Sequence, residues 1–271
     1  MCPPFCWRVP RVNFWAMLTA ITREVSSAMA ECELTFMSRQ PIDLFRARQQ
    51  HHEYQAALEK LGARVLSLPQ EPHLPDSMFV EDPALVLDEL AVIMRLGTES
   101  RRAEAESLAQ HLGGFRPLQY ISAPGTLEGG DILRVGKTLF AGLSKRSNLE
   151  GIRQLQKFVA PHGYQVVSVE VRGCLHLKSA VTFLGGETLL ANRAWFDSAP
   201  FSGFQWLDVA SDEAHAANAL TIGKTTLFPS SFPRTRAAME KSGFAVTALD
   251  ISELQKAESG LTCSSLLFVT E

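Results

Sequence analysis

Three stretches far apart in the chain, 61–68 (LGARVLSL), 162–169 (HGYQVVSV) and 242–249 (SGFAVTAL), repeat one local design. Each is the end of a helical segment, then a glycine, then an alternating apolar strand. Glycine just past a helix end supplies the left-handed residue that turns the chain out of the helix. Alternation then gives the strand one face to bury. The recurrence is irregular, about 80 to 100 residues with insertions. With further apolar runs before each helix, it points to a repeated mixed α/β module. A doubly wound nucleotide fold fits less well, because no glycine-rich phosphate loop follows any strand.

Apolar, β-branched runs read as strands at 15–21, 63–68, 84–96, 118–121, 132–140, 164–171, 175–183, 188–190, 204–209, 217–228, 245–249 and 264–269. Helical spacing covers 43–61, 99–113, 146–162 and 234–242, with stops near Gly62, Gly113, Gly163 and Gly243. No low-complexity linker divides the chain. One domain is expected over 13–271, behind a loose, disordered leader over 1–12 that carries Cys2 and Cys6.

Charge and composition exclude several function classes. Twenty-six Lys and Arg stand against 29 Asp and Glu, for a net charge of -3 without any basic stripe, so nucleic acid is not an expected partner. No apolar run reaches the roughly 18 to 20 residues that cross a bilayer, which predicts no membrane span. Arg8 and Arg11 before an apolar stretch imitate a secretory signal faintly, but the stretch is short and reads better as a first strand. The 5 cysteines are too scattered for a disulfide framework, which fits a reducing, cytoplasmic compartment. His51 and His52 lack the spacing of a metal pair, and neither metal nor cofactor is expected.

Among residues that could do chemistry, His176 lies in Leu175-His176-Leu177. On a strand the leucines would share one face, while Cys174, His176 and Lys178 took the other. An imidazole there can give or take a proton near neutrality, although a histidine read alone is more often structural. Cys263 follows Gly260 in a polar cluster before the last apolar run, at a junction that leaves sulfur reachable. A nucleophilic thiol calls for a lowered pKa, which a nearby cation would supply; a free cysteine read alone is more often a buried hydrophobe. Carboxylates stand beside turn formers in DSMFVEDP (76–83) and GTLEGGD (125–131), where they suit either a cationic ligand or ordinary turn chemistry. Arginines near helix starts, in ESRR (99–102) and GLSKRSN (142–148), oppose the helix dipole and invite a carboxylate partner.

Taken in order, DSMFVEDP, ESRR, GTLEGGD, GLSKRSN, LHLKS and GLTCSSL resemble the dimethylarginine dimethylaminohydrolase family of the guanidine-modifying, or pentein, superfamily, over residues 13–268. The resemblance implies a five-bladed α/β propeller of pseudo-repeated ββαβ-type modules around a central pocket closed by a mobile loop. It implies Cys263 as nucleophile, His176 as general acid and base, and Glu128 as the partner that orients His176 and contacts the guanidinium. Asp82 would grip the guanidinium with Glu81 beside it, and Arg101 and Arg146 would clamp the substrate α-carboxylate. Leu34 would meet the substrate through its backbone, and Asp76 would lie near the α-amino group. The loop over 35–41 and the KAESGL stretch before Thr262 depart from the family pattern, both on the substrate-recognition side.

The implied reaction is hydrolysis of an N-methylated arginine, a small-molecule substrate, to citrulline and an alkylamine through a covalent thiouronium, in a monomer or homodimer. Two alternatives share the scaffold: an arginine deiminase or amidinotransferase, and a catalytically silent pentein-like protein that binds a partner.

Overall fold

A computed structural model describes residues 16–270, and within that span fifteen strands sort into five three-stranded sheets. Strands β1 (Met17–Arg23) and β2 (Arg64–Leu68) flank helix α1 (Leu44–Lys60). Strands β3 (Ala84–Val86) and β4 (Ala91–Ile93) form a hairpin, and α2 (Ala103–Leu112) leads to β5 (Leu118–Tyr120). The design repeats with β6 (Ile132–Val135), β7 (Thr138–Leu143), α3 (Leu149–Val159) and β8 (Gln165–Glu170). A one-turn helix, α4 (Leu177–Ala180), precedes β9 (Val181–Gly185), β10 (Thr188–Ala191) and β11 (Gln205–Asp208). The next module holds β12 (Leu220–Ile222), β13 (Thr225–Pro229), α5 (Pro233–Lys241) and β14 (Ala245–Leu249). Helix α6 (Ser252–Gln255) and β15 (Leu266–Thr270) follow.

In every sheet the middle strand runs antiparallel to one neighbour and parallel to the other. In the first sheet the antiparallel partner of β1 is β15, in register from Met17↔Thr270 to Ile21↔Leu266. The last strand therefore completes the first module. The apolar core confirms a closed ring, because five buried clusters fill the junctions between successive modules. An open row of five would have four. The closing junction joins Ala20, Val25 and Leu58 of the first module to Leu227 of the fifth. This is the five-module α/β propeller that the resemblance implied.

Local chemistry explains most boundaries. Asp43 caps α1 by accepting the N–H groups of Phe45 and Arg46 at 3.0 and 3.1 Å. The repeated glycines Gly62, Gly163 and Gly243 all hold positive φ, as the helix-stop reading requires. Gly113 instead stays right-handed at φ -59, and the turn after α2 closes through Phe115 N–H and Arg116 N–H on the Leu112 carbonyl.

Several expected elements differ. The runs at 84–96, 132–140 and 217–228 are hairpins rather than single strands; Gly136 and Gly223 turn the latter two at positive φ. The fourth module has no long helix: two 3-10 turns, Arg193–Trp195 and Ala199–Phe201, bridge β10 to β11. The run at 175–183 is only a strand from Val181 onward, because Leu177–Ala180 coil into α4. The expected leader over 1–12 and the strand start at Trp15 lie outside the described residues. Among the described residues no helix is long and apolar enough to cross a membrane.

Candidate active site

The segment that enters the first strand of each module carries one polar residue inward. Asp82 precedes β3, Glu128 β6, His176 β9, Asn218 β12 and Cys263 β15. All but the half-buried Cys263 are buried. Loops leaving the middle strands bring Arg101 after β4 and Arg146 after β7. The pseudo-symmetry of the ring thus gathers residues that are remote in sequence.

His176 sits between two carboxylates. Its Nε2 is 2.7 Å from Glu128 Oε2, and its Nδ1 is 3.8 Å from Asp82 Oδ1. Burial disfavours the imidazolium, but Asp82, the Glu128 hydrogen bond and Asp131 outweigh it and push the pKa up to about 9. Glu128 is held down at about 2: burial opposes this, and His176, Arg101 and Arg146 overcome it. Its Oε1 accepts the Gly97 N–H at 2.9 Å. At neutral pH the pair is imidazolium and carboxylate.

The backbone around His176 is not the alternating strand expected. Asp131 Oδ1 accepts the Leu177 N–H at 2.9 Å, which seats His176 as the residue that starts α4. Asp131 Oδ2 accepts the hydroxyls of Ser144 and Ser147, both at 2.6 Å. The glycines in GTLEGGD answer a steric need: a Cβ on Gly130 would lie 2.5 Å from His176 Nδ1 and 2.8 Å from Asp82 Oδ1.

Cys263 lies in a 3-10 turn, Thr262–Ser264, and its Sγ accepts the Gly260 N–H at 3.4 Å. The expected neighbouring cation does not lower this thiol. Burial, Glu81 and Asp82 push its pKa up to about 12. Cys32 and Cys174 are also raised, chiefly by burial, to about 11 and 12. Titration therefore does not single out Cys263; its place does. It lines one small cavity with His176, Asp82, Asp76, Arg101 and Arg146.

Those are six of the nine expected site residues. Asp82 Oδ2 accepts from Arg101 Nη1 at 2.9 Å, and Glu104 takes the Nε and Nη2 edge of the same guanidinium at 3.0 and 2.9 Å. Asp76 accepts the Glu33 N–H at 3.1 Å. Arg146 Nη2 donates to Thr35 Oγ1 at 3.0 Å, while its buried Nη1 has no hydrogen-bond partner and stands 3.6 Å from Glu128 Oε1.

Three residues stand elsewhere. Glu128 is fully buried, bonded to His176 and the Gly97 N–H, and does not line this cavity. Glu81 turns to the opposite side of the chain from Asp82 and bonds Lys178 and Thr262 Oγ1 in a neighbouring cavity. Leu34 packs half-buried on the first apolar cluster, with Glu33 lining the cavity in its place.

Sequence reasoning missed Asn218, which accepts the Thr262 N–H at 3.1 Å and donates to Thr262 Oγ1 at 3.0 Å, fixing the turn that carries Cys263. It also missed Glu258 and Ser259 as cavity-lining residues. A lone Asn or Glu in a loop carries no local signal. Asp82, Glu128 and His176 offer ligand atoms within 4.8 Å of one another.

Comparison with known proteins agrees with this architecture. The family described as N,N dimethylarginine dimethylhydrolase, eukaryotic, matches residues 28–191. An N(G),N(G)-dimethylarginine dimethylaminohydrolase of Pseudomonas aeruginosa is 36% identical over 83% of this chain and 90% of its own. A protein of the same name from Streptomyces coelicolor is 35% identical over 91% and 95%. The solved Pseudomonas aeruginosa enzyme, as a cysteine-to-serine mutant complexed with citrulline, superposes with a TM-score of 0.88 at 33% identity, covering 93% of this chain and 100% of that one. The N-terminal domain of a cyanobacterial arginine dihydrolase shares the fold at 20% identity and a TM-score of 0.81, covering 93% and 97%.

Proposed function

The chain belongs to the dimethylarginine dimethylaminohydrolase family, and from that membership and its central cavity we propose that it hydrolyses an N-methylated arginine to citrulline and an alkylamine. The observation that carries this reading is the make-up of one cavity wall: a thiol, an imidazolium and carboxylates suited to a guanidinium, with Arg146 offering an unpaired buried N–H suited to a carboxylate. A zwitterionic amino acid with a cationic side chain complements both sets.

In the resting protein Cys263 is a neutral thiol, since burial and two carboxylates disfavour its anion. A bound guanidinium is the missing cation. Beside the sulfur it offsets those carboxylates, and the thiol proton leaves to solvent. The thiolate attacks the central carbon. The C–N bond to the alkylamine breaks as His176, which starts protonated, hands its proton to the departing nitrogen. Neutral His176 then takes a proton from water, whose oxygen attacks the thiouronium carbon. The C–S bond breaks, releasing citrulline and the Cys263 sulfur. Asp82 steadies the substrate charge, and Glu128 holds His176 in orientation. Asp76 serves the amino end, the backbone at Leu34 meets the substrate from the loop, Arg101 and Arg146 clamp the α-carboxylate, and Glu81 acts on Cys263 at a distance through its charge. With no disulfide formed by Cys32, Cys174 or Cys263 among the described residues, a reducing cytoplasmic setting fits, in a monomer or homodimer.

The test is incubation with arginine and its mono- and dimethylated forms, followed by measurement of citrulline and the released amine. Methylamine or dimethylamine in equal amount to citrulline is expected. Ammonia from arginine alone would make it a deiminase, a new guanidino compound an amidinotransferase, and no turnover would end the catalytic reading.

A further inference from the structure

The loop that follows β1 is tied down by a carboxylate from the far end of the chain. Glu258 accepts the N–H of Thr35 at 3.0 Å, and those of Phe36 and Met37 as well. Three successive amides aimed at one point make a concave seat for an anion. Glu258 also has φ 57, the only positive φ of a non-glycine among the described residues, so the fold holds it where a side chain is sterically disfavoured.

The same turn reaches the thiol. Two residues after Glu258, the Gly260 N–H donates to Cys263 Sγ at 3.4 Å. Glu258 and Ser259 line both the central cavity and a neighbouring, mostly apolar one that Phe36 and Met37 also line. Other contacts hold the loop at its two ends or through side chains: Asp76 on the Glu33 N–H, Lys256 Nζ on the Pro41 carbonyl at 3.0 Å, Arg146 on Thr35 Oγ1, and Lys145 Nζ 4.8 Å above the Phe36 ring. Glu258 alone grips consecutive loop amides.

We propose that Glu258 is a positioning residue that couples closure of loop 33–41 to the placement of Cys263 Sγ, because one left-handed turn holds the loop amides at one end and the sulfur at the other. Opening the loop removes the anion's three donors, frees the turn and loosens the Gly260 contact. Substrate retention and thiol placement then change together. The kinetic part of the test rests on the function proposed above; the structural part does not.

The full-length protein, Glu258→Ala and Glu258→Gln are compared by hydrogen exchange of the segment 33–41, by mass-resolved alkylation of Cys263 with iodoacetamide, and by kcat and KM for methylated arginine. Glu258→Gln keeps size and one acceptor oxygen, so it remains a test if the alanine variant folds poorly. Loop exchange about tenfold faster and Cys263 alkylation several-fold faster are expected in the alanine variant, with KM up about tenfold and kcat down about tenfold. The glutamine variant should fall between. If circular dichroism is native in either variant while its loop exchange and Cys263 alkylation stay within about twofold of wild type, the coupling is refuted. A collapse of kcat with unchanged loop exchange also refutes it, by placing Glu258 in the chemistry. Failure of the proposed function shows differently: the unmutated protein does not turn over methylated arginine, and its loop exchange is unaffected.

Discussion

The Nε2 of His176 stands 2.7 Å from Oε2 of Glu128, with His176 4% exposed and Glu128 0%. Two groups that each lose hydration in such a place stabilise one another's charged form, with Asp82 and Asp131 adding to the pull on His176 and Arg101 and Arg146 to that on Glu128. The contact therefore sets the protonation state of the imidazole as well as its direction.

Glu128→Gln should move the alkaline limb of kcat/KM. In the wild type, activity declines as His176 loses its proton near pH 9. Glu128 is one of the groups raising that value, so its neutral counterpart shifts the limb toward lower pH. Stability follows the same proton. The contribution of the charged imidazole is complete below its ordinary 6.5 and fades as pH rises through about 9. Rate profiles and urea unfolding between these limits check both; a limb that does not move contradicts the pairing.

Cys263→Ser should abolish turnover, by about 10³-fold or more, because a serine hydroxyl in this acidic setting has no route to an alkoxide. His176→Gln should cost about 10² to 10⁴. Citrulline release measures both, with substrate binding by calorimetry expected to persist in Cys263→Ser.

Gly130→Ala puts a methyl group 2.5 Å from His176 Nδ1. Either the ring or the 3-10 turn Gly129–Asp131 must shift, and the Glu128 hydrogen bond shifts with it. A loss of about 10²-fold in kcat is expected from a misplacement of this size, along with a lower Tm. Wild-type kinetics in this variant would show that the ring tolerates displacement.

Arg146→Lys keeps a charge but loses the fork that faces both Thr35 and the cavity. KM should rise by about 10- to 100-fold with kcat nearly unchanged, the pattern of lost uniform binding. Steady-state kinetics on one methylated arginine suffices to check it.

The residues that were legible in sequence are those whose roles are local. Gly62, Gly163 and Gly243 end helices through their own φ angles, and Asp43 caps α1 from within two or three residues. His176 reads as a strand residue because Leu175 and Leu177 mimic an alternating run, whereas the start of α4 is held by a residue 46 positions away, Asp131, through the Leu177 N–H. Glu81 and Asp82 are adjacent acids before a proline, and nothing in their order shows that one meets Lys178 while the other meets Arg101. The cavity set emerged from six short motifs in order, each weak alone, because the ring joins what the chain separates.

The pairing of β15 with β1 sets an order of events during synthesis. While a ribosome is still making residues near 260, the nascent chain has neither its sulfur nor the strand whose Leu266 and Phe268 share a buried cluster with Ile21. Closure is the most non-local step in the topology, and such steps come late because their entropy is lost before their contacts form. The sulfur and the strand that closes the ring are thus delivered together, and until then the central cavity lacks one of its walls.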